Sequence, residues 1–293
     1  MNGLLVLDKP AGMTSHDIVA LVRRVTDERS VGHLGTLDPM ATGVLPLLLG
    51  RYTRLAQFFG AAEKAYTGRI RFGWATDTYD AEGMRVGEAR PLTVGIEEMR
   101  HLAERFAGPM DQMPPVYSAK KIGGVPAHKL ARAGVEVPVK PARIVIHDFT
   151  LDSLEGDEAS FMIRVSAGGY VRSVAHEMGQ AAGCGAHLSE LRRTQAGEFS
   201  LAQCVTAEEL KSMAGEDGAH LAERLVHPRR LLETMPAVTV DEGMASRLRN
   251  GMQGNVSEFS AAPLIRVFTG PADLFAIGKR IAGTLMQPMV VLG

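Results

Sequence analysis

The stretch GHLGTLDPMATGVL, Gly32 to Leu45, holds one carboxylate, Asp38, in surroundings otherwise free of formal charge. Pro39 directly after it excludes helical backbone for Asp38 and sets it at an extended or turn position, on a loop edge that a ligand can reach. Such an acid has two uses. It can close a turn by accepting from nearby backbone amides, or it can face a ligand. Three other places combine a ring or a cation with tight backbone: Tyr66 before an alternating strand, GGYVR with Tyr170 and Arg172, and LRRTQAGEF from Leu191 to Phe199. Residues i and i+2 of a strand share a face, so Tyr170 and Arg172 are expected to point into one pocket. An acid, a cation and two phenols can then meet, the parts of acid–base or nucleophilic chemistry.

Other chemistries lack their parts. There is no G-x-x-x-x-G-K-[ST], and GCGAHL at Gly183 lacks the third glycine of a dinucleotide loop. HEMGQ at His176 is not H-E-x-x-H, and no G-x-S-x-G occurs. Cys184 and Cys204 have no CxxC or Cys/His company, so they read as reduced structural thiols, with no metal site and no cofactor expected. The opening MNGLLVLDKP is too short in its apolar run for a signal peptide, and no later run approaches a membrane span, so a cytoplasmic protein is expected.

The elements that must position these residues follow from hydrophobic period and punctuation. LLVLDKP reads as a buried strand stopped at Pro10, and Thr14 with Asp17 as a capping box opening a helix with Ile18, Val22 and Val25 on one face. AYTGRIRFGW alternates as a strand, and TVGIEEMRHLAERFAG has helical spacing with a stop at Gly108. SFMIRVSAGGYVRS reads as a second alternating strand running into a helix near Ser173, which ends at Gly183. Without a βαβ rhythm, the sheet is expected to be mixed or mostly antiparallel, an α+β fold. Its 293 residues allow about two domains, and short strand-like pieces after Pro236 place a boundary there, giving 1–235 and 236–293.

Net charge is −1, which excludes a protein basic all over. The segment from Ser118 to His147 nonetheless carries Lys120, Lys121, Lys129, Arg132, Lys140 and Arg143 against Glu136 alone. Charge by itself allows a solvated loop or a flap gripping a polyanion.

Six blocks in order resemble the TruB family of bacterial tRNA pseudouridine synthases: LLVLDKPAGMTSHD, VGHLGTLDPMATGVLPLLLGRYTR, KAYTGRIRFGWATDTYDAEG, QMPPVYSAKKIGGVPAHKLARAGVEV, GGYVRSVAHEMG and CGAHLSELRRTQAGEF. The resemblance implies the pseudouridine synthase fold, a bent mixed sheet with flanking helices and a central cleft. It also implies cofactor-free isomerisation of uridine 55 in the T loop of tRNA. By family match Asp38 acts at C1′, Tyr66 stacks on the flipped base, Tyr170 is the base for the C5 proton, and Arg172 pairs with Asp38 and keeps it ionised. Leu191 forms the apolar floor, and Lys9 with Pro10 a structural, RNA-proximal element. His33, as a partly cationic ring, fills the space the base leaves. Segment 118–147, with Lys120, Lys121 and Lys129, matches an RNA-gripping insertion, and the tail from Ala237 resembles a small PUA-like RNA-binding domain. The implied partner is the tRNA T stem-loop, with no membrane, no obligate protein partner and a monomeric enzyme. Ala167, Gly169 and His128 stand where relatives often have lysine, threonine and tyrosine, departures that bear on RNA affinity and spare the Tyr-x-Arg core. The alternatives on the same scaffold are a guide-RNA-dependent synthase and a non-catalytic RNA-binding or RNA-folding protein.

Overall fold

The computed structural model describes residues 1–117, 121–122, 124–127, 130, 135, 140–213 and 219–293. The LLVL run lies in β1 (Gly3–Lys9), and its failure to alternate has a packing cause. Leu5 and Leu7 enter one hydrophobic cluster and Leu4 and Val6 another, so both faces of the strand are covered. After β1 come β2 (Val31–His33), β3 (Thr42–Leu49), β4 (Lys64–Phe72), β5 (Gly108–Gln112), β6 (Ala142–Glu155), β7 (Glu158–Val165), β8 (Ala186–Ala196), β9 (Phe199–Ser200) and β10 (Val205–Thr206). They form one ten-stranded sheet in the order β10-β1-β3-β8-β4-β7-β6-β5, with β2 on β3 and β9 on β8. Only the β1–β10 and β3–β8 pairs are parallel, so the sheet is mixed and mostly antiparallel, as expected.

Helices α1 (Ser15–Thr26), α2 (Ile96–Glu104) and α3 (Val171–Ala181) lie against the apolar face, where Tyr66, Ile70 and Phe72 of β4 are buried. The capping box forms as read: the Asp17 amide donates to the Thr14 hydroxyl at 3.0 Å and the Thr14 amide to the Asp17 carboxylate at 2.8 Å. A second sheet of five strands gathers β11 (Ala237–Thr239), β12 (Gly254–Asn255), β13 (Leu264–Phe268), β14 (Leu274–Ala282) and β15 (Leu285–Val291), in the order β11-β13-β14-β15-β12. Its Phe268, Leu274 and Ile277 pack on Leu4, Val6 and Leu48 of the main sheet.

Two local readings are corrected. GGYVR is not a strand, because β7 ends at Val165 and Gly168 turns the chain at φ 85°. Tyr170 is the N-cap of α3 and Arg172 lies in its first turn, so the i, i+2 strand argument does not explain their meeting. Helix α2 ends at Glu104, and Gly108, at φ 103°, opens β5 instead of capping the helix. Lys120 and Lys129 lie outside the described residues, as does the side chain of Lys121, whose backbone pairs with Pro126 in a two-stranded ribbon. Among the described residues no helix is long and apolar enough to cross a membrane.

The parallel contact of β3 with β8 brings backbone against backbone at Gly43, which sits at φ 102° opposite Arg193. A Cβ there would lie 2.1 Å from the Arg193 carbonyl oxygen. The conformation alone costs an alanine about 1–2 kcal/mol, and the overlap adds to it. Gly43→Ala should lower the melting temperature by at least about 5 °C, at roughly 2–4 °C per kcal/mol for a chain of this size. An unchanged value in calorimetry would contradict this account of the strand contact.

Candidate active site

Asp38 sits on the loop between β2 and β3, and the chain around it is tied from four directions. The Ser15 hydroxyl at the start of α1 accepts from the Leu37 amide at 2.8 Å and donates to the Leu37 carbonyl at 3.0 Å. The Gly12 amide donates to the Pro39 carbonyl at 2.9 Å, and Lys9 Nζ to the same oxygen at 3.1 Å. From β8, Arg193 Nε donates to the Val44 carbonyl at 2.7 Å and Nη2 to the Gly35 carbonyl at 3.1 Å. The carboxylate is free of this backbone work. Its two oxygens face Arg172, with Nε at 2.9 Å from Oδ2 and Nη2 at 3.2 Å from Oδ1, a bidentate pair that rules out the turn-acid use.

Arg172 is itself buried and fully engaged. Nη1 donates to the Thr78 carbonyl at 3.0 Å and reaches the Asp80 carboxylate at 3.3 Å, while Nη2 also donates to the Tyr117 carbonyl at 2.9 Å. Asp80 is buried and further held by the Thr78 hydroxyl at 2.6 Å and the Glu82 amide at 3.1 Å. Two carboxylates thus share one guanidinium. Burial pushes the Asp38 carboxyl above the ordinary carboxylate range, the guanidinium opposes this, and the Asp80 charge adds to it. Pairing with Arg172 is as expected, but it does not outweigh desolvation.

Tyr170 is placed by its backbone. Its amide donates to Gln112 Oε1 at 2.8 Å, and Gln112 Nε2 donates to its carbonyl at 3.1 Å, a reciprocal clamp from a glutamine that is itself fully buried at the end of β5. Tyr66 comes from β4 and Leu191 from the neighbouring β8, where Leu191 pairs with Gly68. His33, Asp38, Tyr66, Tyr170, Arg172 and Leu191 line one cavity of about 460 Å³. The structure therefore brings together six of the residues singled out in the sequence.

Lys9 is corrected. It is wholly buried, its ammonium donates to the carbonyls of Pro10, Met13 and Pro39 at 2.8, 2.5 and 3.1 Å, and burial pulls it down to about 8. It braces the Asp38 loop and offers no surface to RNA. Burial first, and Arg193 second, lower the His33 pKa, and its Nδ1 accepts from the Gly35 amide at 3.4 Å, both of which disfavour the cationic form expected of it. Asp80 and Gln112 were missed. Both lie inside quoted blocks, but no local signal distinguishes Asp80 from Asp77 and Glu82, or marks Gln112 as buried.

A bent mixed sheet whose cleft is walled by an acid, an arginine and two tyrosines is the architecture of a pseudouridine synthase. A chain of the crystal structure of a Cbf5–Nop10–Gar1 complex superposes with a TM-score of 0.73 at 25% identity, covering 99% of this chain and 85% of that one. Residues 23–171 match the TruB family pseudouridylate synthase (N terminal domain), and residues 172–234 the tRNA pseudouridylate synthase B C-terminal domain. The tRNA pseudouridine synthase B of Solibacter usitatus is 45% identical over all of both chains, and that of Stutzerimonas stutzeri 40% over 95% of this chain and 92% of its own. The chain belongs to the TruB family of pseudouridylate synthases, enzymes that convert uridine in tRNA to pseudouridine.

The Asp80 charge has a readable consequence. Asp80→Asn removes a negative neighbour, so Asp38 ionises at lower pH and the acid limb of the single-turnover rate should move to lower pH. The same change loosens Arg172, and a misplacement near 1 Å costs up to about 100-fold, so the neutral-pH rate should fall by at least ~10-fold. A rate and limb equal to wild type would show that Asp80 has no hold on the pair.

Proposed function

We propose that this enzyme isomerises uridine 55 in the T loop of tRNA, acting as a cytoplasmic monomer without a guide RNA. The observation that carries this reading is the Asp38 carboxylate, held in a bidentate pair at the wall of a cavity that also presents two tyrosines. A base inside a folded loop must be extruded before any group reaches its glycosidic bond, and stacking on a ring offsets the lost neighbours. Tyr66 supplies that ring and Leu191 the apolar floor. Asp38 then acts at C1′, where an ionised carboxylate attacks the carbon or stabilises its positive charge while the N1–C1′ bond breaks. The uracil turns and C5 bonds to C1′. Tyr170 gives its hydroxyl proton to water as it takes the C5 proton, and N1 is protonated from water, so one proton leaves C5, one reaches N1 and the reaction balances without a co-reactant. The planar His33 ring suits the gap left in the RNA stack.

Segment 118–147 serves as a cationic grip on the stem, through Lys120, Lys121 and Lys129, and the unit from Ala237 as a PUA-like RNA contact. The guide-dependent alternative is disfavoured by the 39–45% identity to enzymes named tRNA pseudouridine synthase B. Purified protein should convert the T-loop uridine at position 55 of an unmodified tRNA, read by mass spectrometry of nuclease fragments. Product at another position, or only after a guide RNA is added, would overturn the proposal.

A further inference from the structure

Beyond the groups that face the base, the same cavity is lined by Lys64 and Arg193. Arg193 is 1% exposed, and all the acceptors it meets are carbonyls: Val44 at 2.7 Å, Gly35 at 3.1 Å and, at the loose end, Thr36 at 3.5 Å from Nη1. Lys64, half-buried at the start of β4, gives one N–H to the Ala62 carbonyl at 2.7 Å and keeps two. Among the described residues neither cation has a carboxylate partner. Buried charges are ordinarily paired, because leaving water without a counter-charge is costly. Burial and the Arg193 charge both lower the Lys64 pKa, as expected of a cation lacking its anion.

Gly35 keeps the space between the two cations open. It lies at φ 126°, and a Cβ built on it would come 3.5 Å from Lys64 Cε and 3.6 Å from Arg193 Nη1. Two cations with spare donors thus converge on a patch without a side chain, on the wall of the nucleotide cavity. We propose that Lys64 and Arg193 form a phosphate subsite that takes one of the two phosphodiesters flanking the extruded nucleotide. The anion brings the counter-charge that the fold omits, and it fixes the sugar against Asp38. Lys64 acts as a point charge on that phosphate, while Arg193, held by the carbonyls of Val44 on β3 and of Gly35 and Thr36 on the loop, sets the position of the site. This inference rests on the RNA-isomerising reading above and adds which group of the RNA anchors the flipped nucleotide.

The test is a charge-coupling cycle. Wild type, Lys64→Met and Lys64→Arg are titrated with a T stem-loop RNA and with two copies in which the 5′ or the 3′ phosphodiester of the target uridine is a neutral methylphosphonate. Wild type should lose about 10-fold in affinity with one of the two neutral linkages. Lys64→Met should lose about the same factor on the all-phosphate RNA and no more on that neutral RNA, with a log–log salt slope shallower by about one. Lys64→Arg should stay within about 3-fold of wild type. Additive losses, or a wild type indifferent to both neutral linkages, would overturn the subsite, and the second arm needs no variant. Isomerisation of the all-phosphate RNA by wild type is scored separately. Its failure with the coupling intact would refute the reaction and leave the subsite, whereas success with additive losses would refute the subsite alone.

Discussion

A single buried guanidinium, that of Arg172, holds two carboxylates, Asp38 and Asp80, and two backbone carbonyls, Thr78 and Tyr117. Taking three charges from water is costly, and the cost is recovered only if every donor finds an acceptor in good geometry. Arg172 meets that condition from three separate stretches of chain, so the site assembles as a unit. Removing Arg172 would cost about 3–5 kcal/mol, because it strands the buried Asp80 charge, whereas Asp38 is partly open to the cavity. Arg172 also leaves one edge of Asp38 turned to the cavity, and the proposed chemistry needs that edge.

The rest of the fold keeps that geometry rigid before substrate arrives. Ser15 at the start of α1, Lys9 at the end of β1 and Arg193 on β8 all bond to backbone atoms of the Asp38 loop, Arg193 through the Gly35 carbonyl. Gln112 does the same for Tyr170. Groups fixed by packing do not have to be ordered during the reaction, which is where electrostatic stabilisation gains its strength. The cationic pair beside Gly35 extends the same logic to the backbone of the RNA, since a phosphate held there sets C1′ against a carboxylate that cannot move.

Much of this was legible in residue types. TLDP places an acid on a loop edge, and the structure sets Asp38 there; the capping box at Thr14 and the punctuation around Pro236 also correspond to observed elements. What could not be read was whatever depends on distant burial. The two glycines before Tyr170 end a strand instead of continuing it, because Gly168 takes a left-handed turn. Lys9 resembles a binding lysine until three carbonyls from separate positions surround it. Asp80 is one acid among several in TDTYDAEG, and only the arrival of Arg172 from α3 makes it part of the site. Burial lowers the His33 pKa, which no local pattern encodes.

The central claim is that Asp38 is held for chemistry and not for folding, and Asp38→Asn tests it most directly. The substitution keeps the shape, removes the charge and leaves one of the two Arg172 hydrogen bonds, because the amide nitrogen cannot accept the other. With single-turnover rate, tRNA affinity and melting temperature measured on the same preparation, the rate should fall by at least ~10³-fold, roughly 4 kcal/mol of barrier. Affinity should change by less than about 10-fold, and the protein should remain folded at the assay temperature. A folded Asp38→Asn enzyme that isomerises tRNA at the wild-type rate would contradict the account.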